Sequence, residues 1–529
     1  MSELEFWRDQ HAAGRISRRE FLARAGALGA GAAMGTAMVA SVEAQAADMP
    51  RKGGTLRLGL AGGSTTDSLD PGSYTDSVMI DAGHAFFNAL VEWGEDGKPH
   101  PSLAESWEVK PGATEWILNI RKGVTFSNGK TLDADDIVYS LNMHRGKTKS
   151  GAAGPFKAVA DVKKLAPSQV QVALTGGDAD FPYVLTDYHV LIVPNGHTDW
   201  TKPVGTGGYV LETFEPGVRI TGKRNPNYWK SNRAHVDAFD ITVINDSSAR
   251  LNALMTGQID AMNRVDAKFV ALVKKNPKLE IVRASGGWHA VISMMHDRPP
   301  FDNHELRLAL KYGIDRERVI KALFSGYATP GNDHPIPRTD PYWNSELPQI
   351  KYDPDKAKFH LRKSGLTSPP LVLQCSDAAF SGAVDMAQLF QESAAKAGIR
   401  IDLKKEPADG FWDNVWLKGA FVTSYWAGRA AATQMLAVAY APDAPWNESH
   451  YKSEKFAKLL AEARAETDEA KRKPMIWEMQ SLLYHDGATI VPVFRDWLDA
   501  HNKNVGGHTP HGGFDMNNGW IVEQAWLKA

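Results

Sequence analysis

Strand-like and helix-like stretches interleave along this chain, which predicts an α/β fold. Three observations carry the prediction. Gly53 to Leu60 alternates as a first strand and opens into a loop from Gly62 to Pro71 that contains Ser64, Thr65 and Thr66; a strand leading into a Gly/Ser/Thr loop is a common ligand-facing step in α/β proteins. Phe421 to Trp426 is apolar, β-branched and aromatic, and reads as a buried strand. Helical periodicity fills segments around such strands, at Asp133 to Leu141, Ala383 to Ala397, Glu454 to Ala465 and Asp468 to Tyr484. With 529 residues the chain is long enough for two or three domains.

In chain order, Trp116 to Phe126 alternates as a strand and runs into Ser127-Asn128-Gly129-Lys130, an Asn-Gly hairpin turn. Asp133, Asp135 and Asp136 place acids at the positive end of the helix that follows. Asp302 with Glu305 predicts an acidic capping box for a helix that turns Leu306, Leu310 and Ile314 inward. Asp353 caps a helix with Pro354 at its first position. Val384, Ala387, Phe390 and Ala394 share a helix face. Pro474, inside the last long helical pattern, predicts a kink or a start delayed to about Lys473. Gly506 to Gly513 reads as loop.

Composition narrows the function classes. The net charge of -2 gives no basic face for nucleic acid. Sixteen tryptophans suit a protein that wraps ring faces around a ligand. A single cysteine, Cys375, excludes an intrachain disulfide and a cysteine zinc site. The N-terminus carries Arg15-Ile16-Ser17-Arg18-Arg19-Glu20-Phe21-Leu22, a soft Ala/Gly/Met stretch from Ala23 to Ala40, and Ala44-Gln45-Ala46. That order spells a twin-arginine export signal over residues 1–46 with cleavage after Ala46. No later apolar run reaches membrane-spanning length, so a soluble mature chain is expected.

Enzyme signatures are missing: no G-x-S-x-G elbow, Walker loop or H-E-x-x-H occurs. Gly205-x-Gly207 lacks the rest of a dinucleotide fingerprint and reads as a turn. His508-x-x-His511 has no third ligand nearby in sequence, so no metal site and no cofactor are assigned.

Several further segments form an ordered set. They are Pro203-Val204-Gly205-Thr206-Gly207-Gly208-Tyr209, Asn225-Pro226-Asn227-Tyr228-Trp229, and Arg250-Leu251-Asn252-Ala253-Leu254 with Gly257 and Asp260. Pro299-Pro300-Phe301-Asp302-Asn303, Arg307 to Leu310, Ile314-Asp315-Arg316 and Tyr352-Asp353-Pro354 with Lys356-Ala357 complete it. The set resembles the family-5 extracellular solute-binding proteins, the dipeptide-, oligopeptide- and nickel-binding receptors of bacterial ABC importers, with Gly208 where that family has Pro. The resemblance implies a periplasmic-binding-protein type II clamshell: lobe I at 53–87, 204–293 and 497–529, an extra α+β subdomain at 88–203, and lobe II at 294–496. The chain would cross between lobes near 293 and 497, at hinges. It further implies a monomeric periplasmic receptor for a small polar organic solute, partnered by a permease and ATPase complex at the inner membrane. An anionic non-peptide solute, such as an opine, sugar acid or amino-acid conjugate, and a metal chelate are the alternatives; a secreted hydrolase would need a nucleophile and base in the cleft.

The resemblance also points to ligand contacts. Dipeptide receptors of the family hold the ligand amine with an acid in a pattern like G-W-x-G-D. Here Tyr425-Trp426-Ala427-Gly428-Arg429 keeps Trp and Gly but puts Arg429 at the acid. An ungapped count puts Asp377 where those receptors carry an arginine for the ligand carboxylate. The poles are then exchanged, or Asp377 and Arg429 pair with each other. A cation beside Tyr425 and Trp426 suits a carboxylate. Ser64, Thr65, Thr66, Trp288, His296 and Trp412 are further lining candidates, Trp412 and Trp416 being split between cleft and core. Asp443 is a second polar anchor or a turn acid.

Overall fold

A computed structural model describes residues 49–366 and 371–528. The export signal assigned to residues 1–46 lies outside the described residues. The fold is mixed α/β, organised on one eleven-stranded sheet. From one edge its strands are Ile401–Lys405, Leu371–Cys375, Phe421–Trp426, Leu279–Met294, Thr489–Asn502, Ala261–Met262, Thr55–Leu60, Ala238–Val243, Arg219–Arg224 and Tyr209–Glu215, with Ala328–Pro330 added on Thr489–Asn502.

Two strands in the middle of this order are unusually long. Leu279–Met294 and Thr489–Asn502 run antiparallel, and their register slips between Ser285 (opposite Asp496) and His289 (opposite Phe494). On one side of the slip their residues pack with Leu251, Val270 and Leu498. On the other, Ala290, Ile292 and Val493 join a core of Leu306, Leu310, Phe390 and Phe421. A separate core formed by Leu118, Ile137, Val172 and Phe181 fills a four-stranded antiparallel sheet, Ala104–Val109, Glu115–Ile120, Gln169–Leu174 and Val159–Ala166, with the helix Ala134–Asn142.

Local chemistry sets the element ends. Asp133 caps the helix Ala134–Asn142 and shares a reciprocal capping box with Asp136. Asp353 accepts from Lys356 N at 2.9 Å with Pro354 at the first helical position. Ala383–Ala395 buries Val384, Ala387, Phe390 and Ala394 as its periodicity predicts. One expectation needs correction, and of the two outcomes expected at Pro474 the delayed start does not occur. The helix His304–Gly313 is capped by Asn303, which accepts from Leu306 N at 3.1 Å, and not by Asp302. Glu305 instead pairs with His360 and Lys363 of the neighbouring helix. The helix Glu469–Asp486 runs through Pro474 and has no delayed start. Asp468 accepts from Ala470 N, and Arg472 ties the first turn to Ala463 O at 2.8 Å, so the start is anchored ahead of the proline.

Gly205 and Gly207 press against the C-terminal end of the helix Ser77–Phe86. A Cβ on Gly205 would lie 2.2 Å from Phe86 O, which accounts for two glycines of the P-x-G-T-G segment by close approach.

Candidate functional site

The register slip leaves Gly286, Gly287 and Trp288 of one long strand opposite the single residue Arg495 of the other. Phe421–Trp426 pairs with His289–Met294, and its continuation, Ala427-Gly428-Arg429, passes directly over Gly287. A Cβ on Gly428 would lie 2.8 Å from Gly287 Cα, so both positions need glycine for the backbones to meet. Beside this contact is a cavity of about 50 Å³. It is bounded by Trp93 and Gly97, by Asp340 and Pro341, by Arg429, and by His511 from the C-terminal loop.

Arg429 is partly buried. Its Nη1 donates to the carbonyls of Ala427 (3.0 Å) and Gly428 (3.1 Å). Among the described residues its Nε and Nη2 find no acceptor. Burial lowers its pKa, and the nearby Asp187 and Tyr188 oppose that shift. Asp377 is not its partner: Asp377 Oδ1 accepts from Val384 N at 3.3 Å at the start of a helix, and among the described residues no ion pair joins the two.

A second group of rings lies on the neighbouring strands, outside the lining of this cavity. Trp288 is buried, stacks on Tyr425 with centroids 5.7 Å apart, and meets Phe380 edge-on at 5.3 Å. Tyr425 is 37 % exposed and touches Trp412, itself 38 % exposed. Trp416 turns inward, donating to Glu448 Oε2 at 2.8 Å. Trp426 is buried among Leu436, Tyr440 and Val491 and donates to Glu448 Oε1 at 2.7 Å, so its ring faces the core.

The remaining candidates lie apart from these rings. Ser64 Oγ and Thr66 Oγ1 bond each other at 3.0 Å, Ser64 N donates to Asp67 Oδ2 at 2.8 Å, and all three residues of Ser64 to Thr66 are exposed. His296 packs edge-on against Tyr451 and lies 3.7 Å from Asp486. Asp443 is exposed in its turn. His508 lies 3.5 Å from Asp499, while His511 meets the carbonyls of Trp93 and Gly94 at 3.2 and 3.1 Å, so the two do not converge. Among the described residues no group of three or more His, Cys, Asp or Glu is placed to hold a metal ion.

Sequence reasoning missed two polar groups here. Arg495 stands over Trp288 at 4.6 Å and over Trp497 at 5.2 Å. Burial chiefly, with Arg264 adding repulsion, brings its pKa to about 10, so it stays charged at neutral pH. Asp340, at the cavity edge, is pushed up to about 7 by burial, and Asp180 adds to the shift.

The family described as bacterial extracellular solute-binding proteins, family 5 Middle, matches residues 98–444. The glutathione-binding protein GsiB of Salmonella choleraesuis is 26% identical over 480 residues, covering 87% of this chain and 93% of that protein. Among solved structures, HbpA2 from Haemophilus parasuis superposes with a TM-score of 0.81 at 21% identity, covering 90% of this chain and 100% of that one. AgaA from A. tumefaciens R10, in complex with agropinic acid, superposes with a TM-score of 0.72 at 24% identity, covering 90% and 99%. The fold is therefore that of the type II periplasmic binding proteins.

Proposed function

The chain belongs to the bacterial extracellular solute-binding proteins of family 5, the solute-binding components of ABC importers, and from that premise we propose that it captures a small peptide-like solute by a carboxylate and delivers it to a membrane permease. Arg429 carries the proposal. Its unused guanidinium donors stand just beyond the end of a core strand, at a cavity that Trp93 also bounds, where the family's dipeptide receptors have an acid. A hydrogen bond to a charged group contributes roughly 1.5–3 kcal/mol, and a buried charge left without a partner costs more. The sign of this one side chain therefore selects the ligand end that docks there. The glutathione-binding relative supports a peptide-like solute.

Ligand pockets hold about 300–1,000 Å³, far more than the 50 Å³ beside Arg429. Solute entry thus requires the walls to separate. We take the lobes as 53–87 with 204–293 and 497–529, against 294–496, with 88–203 as the added subdomain. The register slip at Ser285 to His289 supports a hinge there, a few residues before 293, opposite Phe494 to Asp496. The cleft offers arginines and ring faces, which hold anions, so we read a binder and not a catalyst. Residues 1–46 would direct twin-arginine export to the periplasm, where a monomer meets its permease and ATPase.

An anionic non-peptide solute is the second reading. It is favoured by the placement of Asp377, which is engaged at a helix start and does not supply the reversed amine site that an exchange of poles with Arg429 would need. The test is native mass spectrometry of the protein purified from periplasm, followed by calorimetry with the identified solute. Arg429→Asp is expected to abolish binding; unchanged affinity would overturn the proposal.

A further inference from the structure

Arg495 is the cation that the function proposed above leaves unexplained. It lies on the strand Thr489–Asn502 where the two long strands slip register, with its guanidinium against the rings of Trp288 and Trp497. Three acids surround this part of the molecule, and each is already committed. Asp496 pairs with Arg283 and accepts from Ser285 Oγ at 3.2 Å. Asp515 pairs with Arg264 at 2.7 Å and accepts from Ser77 Oγ at 3.0 Å. Asp499 accepts from the backbone of Arg264 (3.1 Å) and Met516 (2.7 Å). Among the described residues Arg495 makes no ion pair and no side-chain hydrogen bond. A guanidinium packed against rings keeps its in-plane N–H edge free, and that edge matches a carboxylate two bonds at a time. A largely desolvated cation in this state is stabilised by an incoming anion.

Rings run from this arginine toward Arg429. On one wall Trp288 stacks on Tyr425, on the strand whose continuation carries Arg429. On the other, Trp497 meets Phe514 at 5.4 Å, Phe514 meets Tyr188 at 6.4 Å, and Tyr188 is close enough to Arg429 for their charges to interact. The two arginines thus stand at two ends of one ring-lined region.

We infer that Arg495 is a second anion-binding subsite, and that the solute carries two separated acid groups, one for Arg429 and one for Arg495. This inference rests on the receptor function proposed above and extends it from one carboxylate to two.

Calorimetry with glutathione, its two carboxyl monoethyl esters, and dialanine as a single-carboxylate control tests it, using wild type, Arg429→Gln, Arg495→Gln and Arg495→Lys. Glutathione is expected to bind wild type at least about tenfold more tightly than dialanine, the size of one charge-assisted contact. Each Gln variant should lose about tenfold or more on glutathione and become insensitive to a different ester, and Arg495→Lys should recover part of the loss. A cation that serves only as a strut between two indoles would lower the unfolding midpoint in Arg495→Gln without this ester pattern. Wild-type-like glutathione binding by Arg495→Gln, equal affinity for dialanine, or both variants becoming insensitive to the same ester overturns the second subsite. Should none of the four probes bind, the solute that co-purifies decides: two acid groups support the subsite, and one or none overturns it while the receptor function stands. A protein that yields no organic solute at all overturns both.

Discussion

The indole Nε1 of Trp426 donates to Glu448 Oε1 at 2.7 Å, behind the strand whose continuation carries Arg429. The same carboxyl accepts from Ser424 Oγ at 2.6 Å and Trp416 Nε1 at 2.8 Å. One buried acid therefore fixes the inward-facing side chains of the strand, leaving Tyr425 to face outward. Burial raises the Glu448 pKa above the ordinary 4.5, and the three donors oppose that rise.

Glu448→Gln keeps the shape but turns one acceptor into a donor that faces donors. It is expected to lower stability by about 1–3 kcal/mol in chemical denaturation. The pH dependence has a definite sign. The folded state holds its proton to a higher pH than the unfolded chain, so wild-type stability falls as pH rises from about 4.5 through the folded pKa. Glu448→Gln should lose that slope; an unchanged slope would assign it to another group.

Asp180 joins the segment around Phe181–Val184 to the helices beyond residue 430, across the boundary proposed for the added subdomain: its Oδ2 accepts from Arg472 Nη2 and from Thr433 Oγ1. Two residues earlier, Asp178 pairs with Arg464 at 3.0 Å. Breaking a buried pair by removing one charge costs roughly 3–5 kcal/mol. Because the partners come from different modules, that cost should fall on the closed arrangement more than on the fold. Asp180→Asn is expected to enlarge the radius of gyration in X-ray scattering of the solute-bound protein and to weaken solute affinity at least about tenfold. A drop in the unfolding midpoint with no change in either quantity would make the contact a fold element.

Much of this architecture is legible because its cues are local. Asp133 with Asp136, and Asp353 ahead of Pro354, are caps written within four residues. The periodicity of Ala383–Ala395 names its own buried face. Asn303 caps in place of Asp302, and Glu305 bonds His360, a contact 55 residues away that no window contains. The site divides in the same way. Tyr425 and Arg429 stand out where an apolar strand breaks at Gly428. Arg495 does not, since alternation along a long strand says which residues share a face but not that the register slips at 285–289. Glu448 lies in coil, and only its three long-range donors reveal its role. Ser64 to Thr66 are hydroxyls at a strand end, as a ligand loop would have, and two of the three bond each other there.

Asp340 sets a pH dependence on closure. Its carboxyl accepts from Tyr342 N at 2.7 Å and is pushed up to about 7, first by burial and then by Asp180, with Arg472 opposing. Tyr183, from the same module as Asp180, also lies near it. Separating the modules removes Asp180 and the burial together, returning Asp340 toward the ordinary 3.8. The closed form then binds a proton that the open form lacks between those two values. Affinity is expected to fall as pH rises from about 5 to 7 and to level off above. Asp340→Asn should flatten this profile in calorimetry at matched ionic strength. A wild-type profile in the variant would exclude Asp340 as the titrating group.

The meeting of Gly287 and Gly428 leads to the sharpest separation of site from fold. A Cβ on Gly428 would lie 2.8 Å from Gly287 Cα and 3.1 Å from its carbonyl carbon, both backbone atoms that no rotamer change can move. The strand pairing from His289 to Met294 precedes this contact and does not depend on it. Gly428→Ala must therefore lift the Ala427 to Arg429 segment away from the crossing strand, and overpacking of this kind costs about 1–3 kcal/mol. Arg429 moves with the segment, and a guanidinium displaced by about an ångström loses paired contact with a carboxylate. The expected outcome is a solute affinity lowered about tenfold or more, with an unfolding midpoint shifted by only a few degrees. Gly287→Ala meets the same backbone from the other side and should reproduce the loss. Full affinity in both variants would show that the close approach does not position Arg429.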